Sequence, residues 1–498
     1  MNHISGIALT TVISLLVAFI LVLRNLGDRR LDRFPGPALA RWTLLYRFYY
    51  DIIRGGGWVE HLQKLHEIYG PIIRVGPNEL HFSRPEAYSE IYAVGSKFAK
   101  DPWSYPQKTT FHVFGIYDAN EAMARRAIIL PYLSKRSISE REWIIQREVD
   151  RFINDVLNNT SPIHVKETAR SFLGVIIPSV CFPELHSNTA LSTTGVLSAV
   201  TNAPKSRFPF LLFKYIPQKW TLIIRRWFLS LKSRNQPYSR MNEGKAYAIM
   251  AQQALSTPVS EIPDDNANIM SNLLARSVNQ VVPEPKSQWL VAESLNLKYA
   301  GMDTMSTAIL IIIRGVLANE VVRLKLIGEL NDAWPDMGTA LCFAALEKLS
   351  YLTAVIKEGL RLSVGIFSPM NRVVGPGNAT ISGESIPEGT VVGMAHSMIH
   401  FNPDIFPDPQ AFRPERWLQE DGQQLDKYLM SFGRGPRSCV GIHLAWSTLY
   451  LLIANVFRRL DLSPTSVDDM RAPYRLKDNF VAVYDGKPIY VRAKFKEG

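Results

Sequence analysis

The most constraining feature of the sequence is a glycine-rich segment with one cysteine, FGRGPRSCVG at residues 432–441, directly before a stretch with helical periodicity. Its three glycines allow the backbone to pass close to a flat ligand. Cys439 comes directly before a predicted helix, where backbone N–H groups and the helix N-terminus would stabilise a thiolate of the kind that can bind iron. Arg437 could neutralise an acidic group of the same ligand. An inert buried cysteine in a glycine-rich loop is the alternative that these residues leave open.

The remaining cysteines do not form a framework with Cys439. The chain has 498 residues and only three cysteines, Cys181, Cys342 and Cys439, whose spacing matches no metal cluster. An odd and sparse count argues against a set of structural disulfides. With 47% hydrophobic and 20% charged residues, the composition is that of a globular protein with a sizeable core.

The N-terminal region predicts a membrane anchor. Residues 4–23 carry no charge, and twenty residues of helix span about 30 Å, the thickness of the hydrocarbon layer. Four arginines follow this run, at positions 24, 29, 30 and 33. A cleaved signal peptide would have its positive charge in front of a shorter run. We therefore expect an uncleaved anchor at 1–28, a cytosolic domain at 29–498 and a location in the endoplasmic reticulum membrane.

The charge of the chain limits its partners. The formal net charge is +11, which favours acidic partners or an anionic membrane surface. No dense run of lysine and arginine alternates with aromatic residues, so we do not expect nucleic acid as a partner.

The pattern along the chain predicts a mainly α fold with a small β part. Strands are expected at 72–75 and Glu79–Phe82, helices over most of 85–365, and strands again at 372–392. A helix is expected at 441–459. A final hairpin at 480–492 should turn at Asp485-Gly486. The apolar segment 201–227 is open to three interpretations: core, substrate roof or membrane contact.

Three further patterns are ambiguous from the residues alone. Asp303 and Thr304 follow Gly301 inside an apolar helical run at 290–317, and a glycine in mid-helix usually has a packing or functional reason. Glu358 and Arg361 share a helix face, but such pairs also arise by chance. Without further information, Arg126, Arg372 and Arg416 are ordinary arginines.

The segment at 432–441 resembles the haem-binding loop of cytochromes P450 at every defined position: Phe432, Gly435, Arg437, Cys439 and Gly441. The resemblance covers essentially the whole chain, with all motifs in family order. It implies the cytochrome P450 fold with an N-terminal transmembrane helix, and haem b as the cofactor. Cys439 would be the iron ligand, and Phe432, Arg437 and Gly441 would contact the haem.

The same resemblance implies roles for the ambiguous residues. In the family, the segment that matches 300–304 lies over the distal face of the haem, where Asp303 and Thr304 would relay protons to O2. Met305 departs from the Thr or Ser that often follows. Related enzymes bind a haem propionate through Trp or His at the position of Ala122, so one contact is missing here.

The resemblance also implies roles for the arginines and for the ion pair on the helix. Arg126 and Arg372 would bind the haem propionates. Glu358 and Arg361 would bind Arg416 of the downstream FRPERW motif and stabilise the structure beneath the haem. These three are therefore expected to be structural and not catalytic.

Residues 65–82 and 439–462 further resemble fungal P450s of secondary metabolism, including the trichodiene-oxygenase-like group. The resemblance implies a monooxygenase that oxidises an apolar terpenoid or polyketide with O2 and electrons from NADPH–cytochrome P450 reductase. Expected substrate walls are 364–368, 290–312 and 201–227. The alternatives are a P450-fold isomerase or dehydratase that needs no reductase, and a non-catalytic haem-binding membrane protein.

Overall fold

The computed structural model describes residues 29–93, 95–96, 98–105, 112–182, 215, 247–249, 251–252, 255, 269, 287–420 and 422–496. The expected anchor at 1–28 lies outside these residues. So does the apolar segment 201–227, except for Tyr215. The Tyr215 hydroxyl donates to the Asp51 carboxylate over 2.8 Å and so ties this point of the segment to the N-terminal helices.

Helices are the predominant elements of the described chain. In chain order they are α1 Ala38–Trp42, α2 Leu45–Phe48, α3 Trp58–Tyr69, α4 Pro85–Tyr92, α5 Ala119–Ile129, α6 Lys135–Glu140, α7 Glu142–Leu157, α8 Val165–Cys181, α9 Ser287–Ala318, α10 Glu320–Ala333, α11 Phe343–Leu346, α12 Ser350–Ser363, α13 Ser397–His400, α14 Gly422–Leu425, α15 Ile442–Arg459 and α16 Val467–Arg471. Shorter π or 3-10 turns lie at Tyr49–Ile53, Val113–Gly115, Pro414–Trp417, Asp426–Tyr428 and Gly435–Arg437.

The β part is small. Its strands are β1 Ile72–Gly76, β2 Glu79–Phe82, β3 Ala99–Lys100, β4 Ile163–His164, β5 Arg372–Val373, β6 Ala379–Ile381, β7 Glu384–Ile386, β8 Val391–Gly393, β9 Leu460–Pro464, β10 Arg475–Asn479, β11 Val481–Asp485 and β12 Tyr490–Phe495. The largest sheet has the order β1-β2-β8-β5-β3, in which β2 and β8 are parallel and the other neighbours antiparallel. The mainly α prediction with a small β part is confirmed.

The predicted C-terminal hairpin at 480–492 is wrong. β11 pairs with the preceding strand β10, and the chain turns at Phe480, which has a positive φ of 73°. β12 pairs instead with β9 and β4. β11 does end at Asp485-Gly486, but the strand that follows, β12, pairs with strands that are distant in the sequence and not with β11.

The core is formed around α9, which packs against α8, α12 and α15. Two glycines allow close approach. A Cβ on Gly301 would lie 2.6 Å from Ile177 Cδ1 of α8, and one on Gly359 would lie 2.1 Å from Ile312 Cγ1. Within the described part of the chain, α9 is also long and apolar enough to span a membrane, but 72% of its most apolar stretch is buried in the protein. Its apolarity is therefore accounted for by packing.

Candidate active site

A cavity of about 1000 Å³ lies where α9, the cysteine loop and the start of α15 come together. The cysteine loop contributes Phe432, Arg437, Cys439 and Gly441 to its lining. The N-terminal half of α9 contributes mostly apolar residues together with Gly301 and Thr304. The segment after α12 adds Gly365 and Ile366. The cavity therefore brings together Thr304 of α9 and Cys439 of the loop, which are 135 positions apart in the sequence.

The loop holds Cys439 with its side chain toward the cavity. The Cys439 N–H donates to the Phe432 carbonyl over 2.8 Å, and Ser438 N–H donates to Gly435 over 3.0 Å. Gly433 and Gly435 have positive φ values of 65° and 70°, which favour glycine. Cys439 is exposed to the cavity although it lies deep inside the protein. This burial raises the pKa of the thiol, whereas the Gly441 N–H and the charge of Arg126 lower it.

Four cations lie close together at one side of the cavity: Lys100, Arg126 and Arg437 line it, and Arg372 lies behind them. Burial, Arg372 and Arg126 lower the pKa of Arg437 to about 10. Burial and the other three cations lower the pKa of Lys100 well below its usual range. Among the described residues, no ion pair joins any of the four to a carboxylate. Within the part of the chain that the structure describes, the charge nearest to a counter-ion for the cluster is Asp118, which acts on Arg437 without forming an ion pair.

The arrangement fits a haem. A Cβ on Gly441 would meet nothing within 4 Å, and one on Gly433 only the end of Met370, so the loop leaves open space beside the cysteine. A thiolate is a good iron ligand. The cations, which include Arg126 near Cys439, are the groups that a ligand with two carboxylates requires. The structure thus provides a cysteine sulfur, open space beside it and cationic side chains at one cavity, and these are the groups that would hold a haem.

The polar pair on α9 is divided between the cavity and a neighbouring helix. Thr304 lines the cavity, and its hydroxyl donates to the Ala300 carbonyl over 2.8 Å. Arg170 of α8 binds Asp303 Oδ1 through Nε and Nη2, both at 3.0 Å. Asp303 is therefore attached to α8 although its neighbour faces the cavity.

The structure brings Glu358, Arg361 and Arg416 into one fully buried cluster. Arg361 binds both oxygens of Glu358 at 2.8 and 2.9 Å. Arg416 Nε binds Glu358 Oε1 at 3.2 Å, and the Arg413 N–H and Trp417 indole donate to the same carboxylate. The remaining donors of the two arginines reach backbone carbonyls of His400, Pro407, Asp408, Pro409 and Ala411. Because every charge has partners, the cluster fixes α12 to the 3-10 turn Pro414–Trp417.

The predicted site residues do not all reach the cavity. Arg126, Thr304, Phe432, Arg437, Cys439 and Gly441 line it. Arg372 lies behind it and donates to Tyr105 Oη and to the carbonyls of Met370 and Asn371. Asp303 and the Glu358 cluster lie outside the lining. Of the expected substrate walls, 290–312 contributes several residues between 291 and 308, and 364–368 contributes residues 365 and 366.

The sequence analysis missed three residues. Lys100 and His112 line the cavity, and Arg170 binds Asp303. His112 is buried and its Nδ1 has no hydrogen-bond partner. None of the three belongs to a local motif. The only sequence feature that could have pointed to Lys100 and His112 as cavity residues is that they come shortly before the helix that carries Arg126.

The chain belongs to the cytochrome P450 family, whose family model matches residues 35–490. Members of this family bind haem iron, and the chain is accordingly a haem-containing monooxygenase.

Its relatives include fungal monooxygenases of similar length. The chain is 29% identical to the cytochrome P450 monooxygenase flvC of Aspergillus flavus, over 94% of this chain and 92% of the relative. It is 30% identical to the cytochrome P450 monooxygenase tpcC of Cochliobolus heterostrophus, over 90% and 88% of the two chains. It is also 30% identical to conidiogenone synthase PchP450 of Penicillium rubens, over 89% of each chain.

Proposed function

We propose that the protein inserts one oxygen atom of O2 into an apolar terpenoid or polyketide intermediate of fungal secondary metabolism. The observation that carries this proposal is the large and mainly apolar cavity shared by Cys439 and Thr304. Such a cavity takes a ligand mainly by its shape, with few polar contacts. The names of the relatives, including a conidiogenone synthase, support the metabolic setting.

Bound haem would supply the activation of O2, and we assign the thiolate that would hold its iron to Cys439. The thiolate is stabilised by the Gly441 N–H and by Arg126, which act against the effect of burial on the thiol pKa. The adjoining N-terminus of α15 adds a favourable dipole. Arg126, Arg372 and Arg437 would hold the haem carboxylates, and Phe432 and Gly441 would lie against the haem.

We assign proton delivery to Asp303 and Thr304. Thr304 Oγ1 donates to Ala300 in a hydrogen bond that leaves its lone pairs free to accept from a water in the cavity. The Asp303 carboxylate is held by Arg170. For Asp303 to take a proton from solvent and pass it toward Thr304, its bond with Arg170 must loosen. Arg170 would therefore act as a positioning residue that controls when Asp303 takes part.

The electrons would come from NADPH through a separate cytochrome P450 reductase. The net charge of +11 suits an acidic protein partner. We also propose that residues 1–28 anchor the protein in the endoplasmic reticulum membrane with the catalytic domain in the cytosol. Exposed apolar side chains in the first described helices support contact with lipid: Leu39, Leu45, Tyr49 and Ile53.

The test is isotope incorporation in microsomes that contain the full-length chain and a reductase. They are given terpenoid and polyketide candidates under ¹⁸O2, with and without NADPH. The proposal predicts products that carry one ¹⁸O atom per oxidation and form only with NADPH. Conversion of a peroxide without NADPH or O2 would instead identify an isomerase or dehydratase.

A further inference from the structure

A second cavity, of about 650 Å³, shares no lining residue with the cavity that contains Cys439. Its wall is formed by the C-terminal end of α9, by α3 and by the segment 470–476, which leads from α16 into β10. Sites for small molecules typically measure about 300–1,000 Å³. The second cavity is therefore large enough for a ligand of its own.

Much of the lining of the second cavity is apolar and rich in rings. The apolar and aromatic side chains in it are Phe367, Phe401, Phe412, Met470, Tyr474 and Leu476. Aromatic side chains offer a large contact area to a flat or apolar molecule. This part of the wall suits the apolar body of a ligand.

Arg314 of α9 is a partly buried cation in the lining of the second cavity. Its guanidinium group donates to the Ala472 carbonyl and the Tyr484 hydroxyl, and it lies 4.6 Å from the centre of the Tyr474 ring. Its Nε is buried and has no hydrogen-bond partner. Within the described part of the chain, no ion pair joins Arg314 to a carboxylate. Because a buried donor without a partner is costly, Arg314 has the capacity to bind an acceptor in the cavity.

The other charged residues of the lining leave the second cavity with a positive balance. Arg471 and Arg475 are exposed and, among the residues that the structure describes, form no ion pair either. Glu60 is the one carboxylate in the described lining, and its Oε2 is buried without a partner. Burial raises the pKa of Glu60 to about 7, with Asp478 adding to the rise and Arg475 acting against it. A carboxyl group that is partly protonated near neutral pH does not balance three arginines.

We propose that the second cavity binds a small organic acid, with its carboxylate on Arg314 and its apolar body against the aromatic side chains. A guanidinium group binds a planar carboxylate well, and Arg471 and Arg475 add positive charge beside it. The site does not depend on the reaction at Cys439. The competing explanation is that the cavity holds only water and that Arg314 only fixes the segment with Ala472. These explanations differ in whether the cavity distinguishes an acid from a neutral molecule of the same shape.

The experiment measures, by isothermal titration calorimetry, how the full-length haem-loaded protein binds naphthalene-2-carboxylate and its neutral amide. Clotrimazole is present in excess, because its imidazole binds the haem iron and so occupies the first cavity. Wild type is compared with Arg314→Met and with the control Arg136→Met, at a side chain of α6 that is 91% exposed. We expect wild type to bind the carboxylate roughly tenfold more tightly than the amide. Arg314→Met should lose this preference, and Arg136→Met should keep it.

Equal affinity of wild type for the two compounds would overturn the proposal, and so would an unchanged preference for the carboxylate in Arg314→Met. If Arg314→Met does not accumulate, since Arg314 also holds the Ala472 carbonyl, Arg475→Gln is used. Arg475 is exposed, and its replacement should weaken binding of the carboxylate severalfold while binding of the amide stays the same. Unchanged affinity of Arg475→Gln for the carboxylate would also overturn the proposal.

Discussion

The hydroxyl of Thr304 is the single polar group of the Asp-Thr pair that faces the cavity. If this hydroxyl passes a proton toward O2, its removal should misdirect protons without disturbing the cysteine loop. We predict that Thr304→Ala keeps its haem content and the spectrum of its ferrous CO complex. NADPH oxidation should continue while product per NADPH falls, toward the lower end of about 10²–10⁴-fold because water substitutes in part. Hydrogen peroxide should account for the difference.

Asp303→Asn provides the contrasting variant. It removes the charge that binds Arg170, so proton supply should slow and NADPH oxidation itself should fall. Product per NADPH should change less than in Thr304→Ala. Full coupling in Thr304→Ala with the native substrate would mean that another group carries the proton.

Cys439 could be predicted from sequence because its neighbours form a local motif. Lys100, His112 and Arg170 could not, because each is an isolated polar residue whose role depends on tertiary contacts. Arg170 meets Asp303 across 133 positions of sequence. The separation of Asp303 from the cavity also follows from this contact, which no spacing rule reveals.

The elements that hold the site differ in how clearly the sequence indicates them. The expected helices at 290–317 and 441–459 correspond to α9 and α15, since long apolar periodicity is a strong signal. Gly301 in mid-helix was expected to have a packing or functional reason. It lies against Ile177, so the glycine has a packing role between α8 and α9. The hairpin prediction failed because a phenylalanine with positive φ, and not the Asp-Gly pair, forms the turn.

The buried cluster around Glu358 should make α12 sensitive to a single change. Glu358→Gln removes the charge that balances two buried arginines, and breaking such a buried pair typically costs about 3–5 kcal/mol. We predict a large loss of haem-loaded protein, measured as haem per polypeptide and as a lower urea midpoint. Glu347→Gln is the control, since it removes an ion pair in which the side chains of Glu347 and Lys135 are 32% and 52% exposed. It should have little effect on haem content or on the urea midpoint. Equal stability of the two variants would contradict a structural role for the cluster.

At the scale of the whole molecule, the proposed membrane attachment would depend on the N-terminal residues. Deleting residues 2–28 removes the uncharged span, so tight insertion should be lost. We predict that the truncated protein leaves the membrane in alkaline carbonate, whereas full-length protein remains. Weak attachment through Leu39, Leu45 and Ile53 should persist in neutral buffer. A truncated protein that resists carbonate would show that another segment anchors the chain.

The central claim is that Cys439 is the axial ligand of a haem in this cavity. The most direct measurement is the absorption spectrum of the ferrous CO complex of the purified full-length protein. A thiolate ligand should give the red-shifted Soret band typical of its family, and Cys439→Ser should lose that band. Cys181→Ser, which alters a buried cysteine whose pKa burial raises to about 12, should retain it. A wild-type spectrum typical of histidine ligation would contradict the account.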